Sequence, residues 1–473
     1  MSRSSVTATW LYAAVVSIMF MGIYAFLIAL SRAPGFGALF PTQDSIRVAL
    51  ITHVVLSVVI WFLAFILFMA HRWAEGQPAS RVEYLPAAGA LLGIAMIVVT
   101  PFTGQVTPIL NNYVPVLDSR LYLSGVGLFL LSAAAGWIML APRMMKRWES
   151  SGHPPPLVVG SLLTSGFCMG MGILSIALAY WQLREFAPHM EARFYYESLF
   201  WGGGHTLQLA NSMGLLAAWG ILAAVAPGRE DEKLIPDGLV WAIMALMILF
   251  ALAAPVEYFI HPADSQESRD FFTDYKRLGA GIGPLVVGLA AVMTARRGGL
   301  HPVAARGIYL SFLLFTLGAL ISLTLQGTGR LLPDWLAKVI PAWLLSFTQQ
   351  APDTRTPAHY HGIIGAVTLG FMTYALRATG QAGWLRVSQR WQMAQVTLYG
   401  AGQTVFVTGL FIGGLAKLPR KTFGAAQELD TILKKVGMGV MGVGGLLAVA
   451  GGVMFVVFML KAFFSRAGDE TAV

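Results

Sequence analysis

Apolar residues along this 473-residue chain fall in long unbroken runs, not in the alternation of strands or the narrow stripe of a surface helix. An α-helix needs about 20 apolar residues to cross the hydrocarbon core of a bilayer. Twelve such runs stand near 9–30, 47–70, 84–106, 120–142, 157–181, 199–226, 235–260, 278–295, 304–327, 358–378, 392–416 and 436–460. The pattern predicts an all-α integral membrane protein with twelve transmembrane helices in one bundle. Connections are short, apart from 328–357, so residues 1–473 read as a single membrane domain with no separate soluble one. The first run lacks a small-residue cleavage motif and is long enough to cross, so it reads as a retained helix. The glycine runs Gly202-Gly203-Gly204 and Gly442-Val443-Gly444-Gly445 follow no strand, so they read as close-packing devices within spans and not as phosphate loops.

Composition agrees. Only 12% of residues are charged and 56% are hydrophobic, with a mean hydropathy of +0.66, whereas soluble chains carry about 25% charged residues. The net charge of +9 does not mark a nucleic-acid binder, because the basic residues lie in short loops beside spans, where they anchor helices at lipid headgroups. Sixteen of the 32 lysines and arginines fall on the side of the termini, a tie, but five of the others crowd into one loop: Lys417, Arg420, Lys421, Lys434 and Lys435. Without that loop the positive-inside rule places both termini in the cytoplasm. The single cysteine, Cys168, leaves no C-x-x-C-H for covalent haem, no disulfide and no thiolate metal site.

Histidines carry the chemistry. His71, His153, His189 and His301 fall in loops and read as solvated. His53 in span two, His205 in span six, His261 closing span seven, and His359 with His361 opening span ten lie in or against hydrocarbon, where an imidazole is costly unless bonded or ligated. Even-numbered spans run inward and odd-numbered spans outward, so all five lie near the outer face. Five separately bonded interfacial histidines are the structural alternative. Two residues apart on a helix is a rotation of about 200°, so His359 and His361 point to opposite sides and one helix can ligate two haems. A low-spin haem takes two axial ligands, and His53 offers the partner for one of them. His205 and His261 remain for a nearby second metal.

These residues resemble the main subunit of the haem–copper oxidase superfamily, which includes the cytochrome oxidases and the bacterial nitric oxide reductases. The resemblance runs through Thr52-His53-Val54 with Trp61-Phe62, Phe200-Trp201-Gly202-Gly203-Gly204-His205 and His359-Tyr360-His361-Gly362, and covers essentially the whole chain. It implies that His53 and His361 ligate a low-spin b-type haem, that His359 ligates a high-spin haem, and that Arg420 with Lys421 hold haem propionates, which explains the basic loop.

The chain also departs from the family. Span seven of the family gives two adjacent histidines to the non-haem metal, but Pro255-Val256-Glu257-Tyr258-Phe259-Ile260-His261-Pro262 has one. The tyrosine that many oxidases carry four residues after the span-six histidine is Leu209, and Tyr258 stands too close to His261 to match the alternative position. Glu257 and His261, four apart, share a helix face, so Glu257 could serve as a catalytic carboxylate completing an iron or copper site with His205 and His261; otherwise it is an interfacial glutamate paired with a basic residue. Gln208 is a weaker candidate ligand.

The resemblance implies a respiratory terminal reductase that passes electrons from a low-spin to a high-spin haem and reduces a small gas, nitric oxide ahead of dioxygen. Its membrane would be the bacterial cytoplasmic membrane, with the haems toward the periplasm, and electrons would come from a separate subunit, a c-type cytochrome or a cupredoxin. The rival is a haem electron-transfer subunit that has lost the non-haem metal. A secondary transporter would explain twelve spans, but it predicts inverted repeats and gives the His-x-His no role.

Overall fold

In hydrocarbon no water satisfies backbone groups, so a spanning segment must close its own hydrogen bonds, which a helix does. A computed structural model of the protein describes residues 2–3, 5–32, 43–104, 106–111, 113–150, 156–224, 233–325, 353–420, 422 and 427–465. Eleven helices in it are long and apolar enough to cross a membrane: α1 (Val6–Ile28), α2 (Asp44–Trp73), α3 (Arg81–Phe102), α4 (Arg120–Ser150), α5 (Pro156–Leu183), α6 (Ala192–Ala223), α7 (Asp237–Ile260), α9 (Pro302–Leu323), α10 (Arg355–Gln381), α11 (Gln389–Leu415) and α12 (Ile432–Phe464). The remaining expected span is α8 (Gln266–Arg296), a helix whose apolar stretch, Gly281–Arg296, is shorter. The fold is that of an all-α integral membrane protein. The connection between α3 and α4 adds an antiparallel hairpin, β1 (Thr107–Ile109) with β2 (Val116–Asp118), in the register Thr107↔Asp118, Pro108↔Leu117 and Ile109↔Val116.

The chain divides into two compact units, Met1–Ala291 and Val292–Val473. In the first, α5 packs on α6 and α7, α3 on α4, and α1 on α2. Its centre is α6, whose most apolar window is 83% buried. In the second, α10 is equally buried, while α12 is only 33% buried. Burial here runs against apolarity, since α6 and α10 are the least apolar of the spans. Lipid-facing helices must be greasy all round, whereas helices enclosed by others gain from small and polar residues that allow close approach.

Glycine sets the distance between α11 and α12. A Cβ on Gly437, Gly444 or Gly451, seven residues apart on α12, would run into the backbone of Gly413, Phe406 or Tyr399 on α11. Gly444→Ala is therefore expected to lower the thermal unfolding midpoint in detergent, an overpacking cost of about 1–3 kcal/mol. Gly442→Ala, two residues away and facing open space, should leave it unchanged, which makes the pair a test of this seam.

Candidate functional site

On α2, His53 is half-buried and its Nδ1 lies 3.0 Å from the Met21 carbonyl of α1. A carbonyl only accepts, so Nδ1 carries the proton and Nε2 is the nitrogen left to ligate. The helix widens into a π turn at Leu56–Ile60, directly after His53, and Ser17 Oγ of α1 donates to the Leu56 carbonyl at 2.8 Å. Such bulges cluster at functional sites. Nothing in the hydrophobic pattern signals this one.

On α6, His205 is fully buried and its Nδ1 lies 2.5 Å from the Trp201 carbonyl one turn earlier. The glycine run before it makes room for four side chains: a Cβ on Gly202 would strike Tyr258 and Phe272, one on Gly203 would strike Ile176, and one on Gly204 would strike the ring of Tyr113. Tyr113 comes from the hairpin connection and lies flat on the His205 imidazole, with centroids 4.3 Å apart and planes 6° from parallel. Gln208, considered above as a metal ligand, instead donates from Nε2 to the Tyr113 hydroxyl at 2.9 Å. Burial pushes the Tyr113 phenol far above its ordinary pKa, so it stays protonated. Sequence reasoning missed this residue.

At the end of α7, Glu257 is buried and its Oε1 accepts from His261 Nδ1 at 2.8 Å. His261 has left the helix in an extended conformation, with 40% of its side chain exposed. Gln182 of α5 holds this turn, donating to the Tyr258 carbonyl at 2.5 Å and accepting from Ala263 N at 2.8 Å. Thus Glu257 pairs with the histidine one turn on. The structure joins Glu257 to His261, but among the described residues no group of three His, Cys, Asp or Glu side chains is placed to hold a metal ion. His205, His261 and Glu257 do not form one donor set.

In the second unit, α10 carries His359 and His361. Gly318 of α9 and Gly362 meet backbone to backbone, a Cβ on Gly362 falling 2.7 Å from the Gly318 Cα. That contact brings His359 Nδ1 to 2.8 Å from the Gly318 carbonyl, so Nδ1 carries the proton here as well. His361 turns toward α11, with its ring edge-on to Phe406 at 5.0 Å.

The start of α10 is anchored by a pair that sequence reasoning did not single out. Arg355 and Asp353 are both buried, and Arg355 Nε and Nη2 donate to the Asp353 carboxylate at 2.7–3.0 Å. Thr354 N donates to the Leu418 carbonyl at 2.9 Å, and Asp353 bridges to Pro419. The basic loop is therefore stitched to the His-x-His helix at the residue before Arg420. Lys421 lies outside the described residues. Lys434, expected in that loop, lies instead in the first turn of α12, where it pairs with Asp430 at 2.8 Å.

One expectation is corrected. His71, read above as a solvated loop histidine, is 1% exposed, because α2 continues to Trp73 and the start of α3 brings Glu83 against it. Its Nδ1 lies 3.8 Å from Glu83, which Arg143 and Ser80 N already engage at 2.5 and 2.8 Å. His153 lies outside the described residues, and His189 is exposed as expected.

No family model matches the chain. It is 24% identical to an uncharacterised protein of Rickettsia prowazekii, over 98% of this chain and 97% of that one. It is 27% identical to an uncharacterised protein of Aquifex aeolicus, over 80% and 85%. Among solved structures, a chain of a haem–copper terminal oxidase dimer, determined by cryo-electron microscopy, superposes with a TM-score of 0.75 at 16% identity, covering 98% of this chain and 84% of that one. The arrangement of helices described above is thus the fold of a haem–copper terminal oxidase chain.

Proposed function

We propose that this protein is a haem-holding subunit of a respiratory terminal reductase in the bacterial cytoplasmic membrane, reducing a small gas. The observation that carries the reading is the fixing of Nδ1 on His53 and on His359 by backbone carbonyls at 3.0 and 2.8 Å. A histidine that ligates a metal usually donates its other ring nitrogen to a carbonyl or carboxylate, which sets the tautomer and aims the ligating nitrogen. Both residues therefore fit haem, which when bound supplies one-electron chemistry. On the sequence pattern we assign His53 and His361 to a low-spin b-type haem, His359 to a high-spin haem, and Arg420 with Lys421 to haem propionates.

Nitric oxide is the favoured gas on electron count. Coupling two nitric oxide molecules to nitrous oxide and water takes two electrons, which two haems can supply, and two protons from water; splitting dioxygen takes four electrons. With Cys168 the only cysteine, electrons are expected from a separate c-type cytochrome or cupredoxin subunit. Among the described residues, those for a non-haem iron or copper do not come together, so no step is assigned to such a metal. That observation favours a second reading, a haem subunit that only relays electrons.

The test is haem quantitation with gas uptake. A pyridine haemochrome assay on the purified protein is expected to give two non-covalent haems per chain, and a reductant-fed preparation is expected to consume nitric oxide faster than dioxygen. One haem would remove the double role of α10. Two haems with no uptake of either gas would select the relay.

A further inference from the structure

The rings at the start of α6 are built as a rigid assembly that the proposed function does not use. Tyr113 covers one face of His205, and Trp201 meets both rings edge-on, at 5.3 and 4.8 Å with interplanar angles of 61° and 62°. Each ring is held from a different direction. His205 is tied through Nδ1 to the Trp201 carbonyl, Trp201 Nε1 donates to the Arg269 carbonyl of α8 at 3.2 Å, and the Tyr113 hydroxyl takes the bond from Gln208. The hairpin that delivers Tyr113 is itself fixed. Asn111, fully buried, accepts from Tyr113 N at 3.0 Å and donates to the Val114 carbonyl at 2.5 Å, and Tyr196 of α6 donates to Asp118 at 3.0 Å. Gly204 leaves the space in which the Tyr113 ring stands.

A transition-metal ion in a protein takes three or four side-chain ligands at fixed distances. In this unit His205 offers one imidazole inside an aromatic stack, while the carboxylate of Glu257 is committed to His261. Among the described residues, the donor set that the family resemblance implies is not assembled. We infer that this chain has no resident non-haem metal, and that His205 is instead held as one half of a Tyr113–His205 stack in which Tyr113 is the positioning residue. The inference rests on the proposed haem-subunit reading for its setting and narrows it. Tyr113 is drawn from a surface connection, so the cover over His205 is a part of the fold that can be removed without cutting a span.

The test uses the full-length haem-loaded protein. Elemental analysis is expected to give iron equal to haem and no stoichiometric copper, in the wild type and in His205→Ala alike. Iron in excess of haem, or stoichiometric copper, that disappears in His205→Ala would overturn the inference. A preparation without haem would instead overturn the functional reading, so the two failures are distinguishable. The positioning role is read by diethyl pyrocarbonate labelling and peptide mass spectrometry, with exposed His189 as the internal standard. Labelling of His205 is expected to be at least tenfold below that of His189 in the wild type and in Tyr113→Phe, which keeps the stack, and to rise to within a few-fold of it in Tyr113→Ala. Labelling of His205 in the wild type at the level of His189, or its full protection in a folded Tyr113→Ala, would overturn it. Should Tyr113→Ala fail to fold, the metal analysis and the Tyr113→Phe labelling still decide.

Discussion

Arg355→Ala is expected to destabilise the protein by about 3–5 kcal/mol, the cost of stranding one member of a buried ion pair. Arg355 and Asp353 are 5% and 2% exposed, and the guanidinium meets the carboxylate through Nε and Nη2. Removing it leaves Asp353 charged and enclosed. The damage would not stay local, because Asp353 also accepts from Arg355 N at the first turn of α10 and bridges to Pro419 in the basic loop. His359 follows one turn later, so the expected signature is a lowered unfolding midpoint in detergent together with loss of haem absorbance. Arg355→Lys keeps the charge but not the planar fork, and should recover only part of the stability. An Asp353→Asn, Arg355→Met double variant, which leaves no unpaired charge, should recover more than either single change. An Arg355→Ala protein within 1 kcal/mol of wild type, roughly the worth of an exposed pair, would show that the pair is solvated in the assembled protein.

His53→Ala and His361→Ala are each expected to abolish the low-spin haem spectrum while leaving the high-spin haem at least partly bound. A six-coordinate low-spin iron requires both axial imidazoles, so loss of either removes the spectral class entirely. His359→Ala should show the converse. The bond from His53 Nδ1 to the Met21 carbonyl makes a second, finer expectation: His53→Gln, which has no ring to aim, should fail to restore the spectrum. Absorption spectra of the reduced protein decide this, and an intact low-spin spectrum in His361→Ala would overturn the ligand assignment.

The helices were legible because each spanning segment satisfies its own backbone and must be apolar over its own length. The eighth span shows the limit of that signal: α8 begins at Gln266, well before its apolar stretch, because the first half of the helix combines the buried rings of Phe272 and Tyr275 with polar partners such as Glu197 and Ser198 of α6, which Arg269 engages at 3.1 and 3.2 Å, and so carries no unbroken apolar run. His71 was misread for the opposite reason. It stands one residue past the end of an apolar run, where the pattern alone cannot tell a helix end in water from one covered by the start of the next helix.

The five histidines were legible as candidates, since an imidazole within an apolar run is conspicuous whatever surrounds it. Their partners were not. Glu257 and His261 lie four apart on one helix, and their pairing could be anticipated from helical geometry. Tyr113 is one tyrosine in a polar connection, 95 residues from the Gln208 that bonds it, and no period links the two. Asp353 and Arg355 are two residues apart in the chain, but an acid that close to a base is ordinary, and only the enclosure of both makes the pair consequential.

By itself, then, the sequence determined the class of fold, the order of the helices, and which histidines lie within apolar runs, because each depends on the local balance of apolar and polar atoms. Tertiary structure decided which nitrogen His53, His205 and His359 present, that Tyr113 rather than a second histidine lies against His205, and that Leu418 and Pro419 of the basic loop are tied to the start of α10. The physical reason is that the deciding groups are mostly backbone. The carbonyls of Met21, Trp201 and Gly318 that orient His53, His205 and His359 are chemically identical to every other carbonyl in the chain, so no residue type marks them, and they become specific only when helices meet.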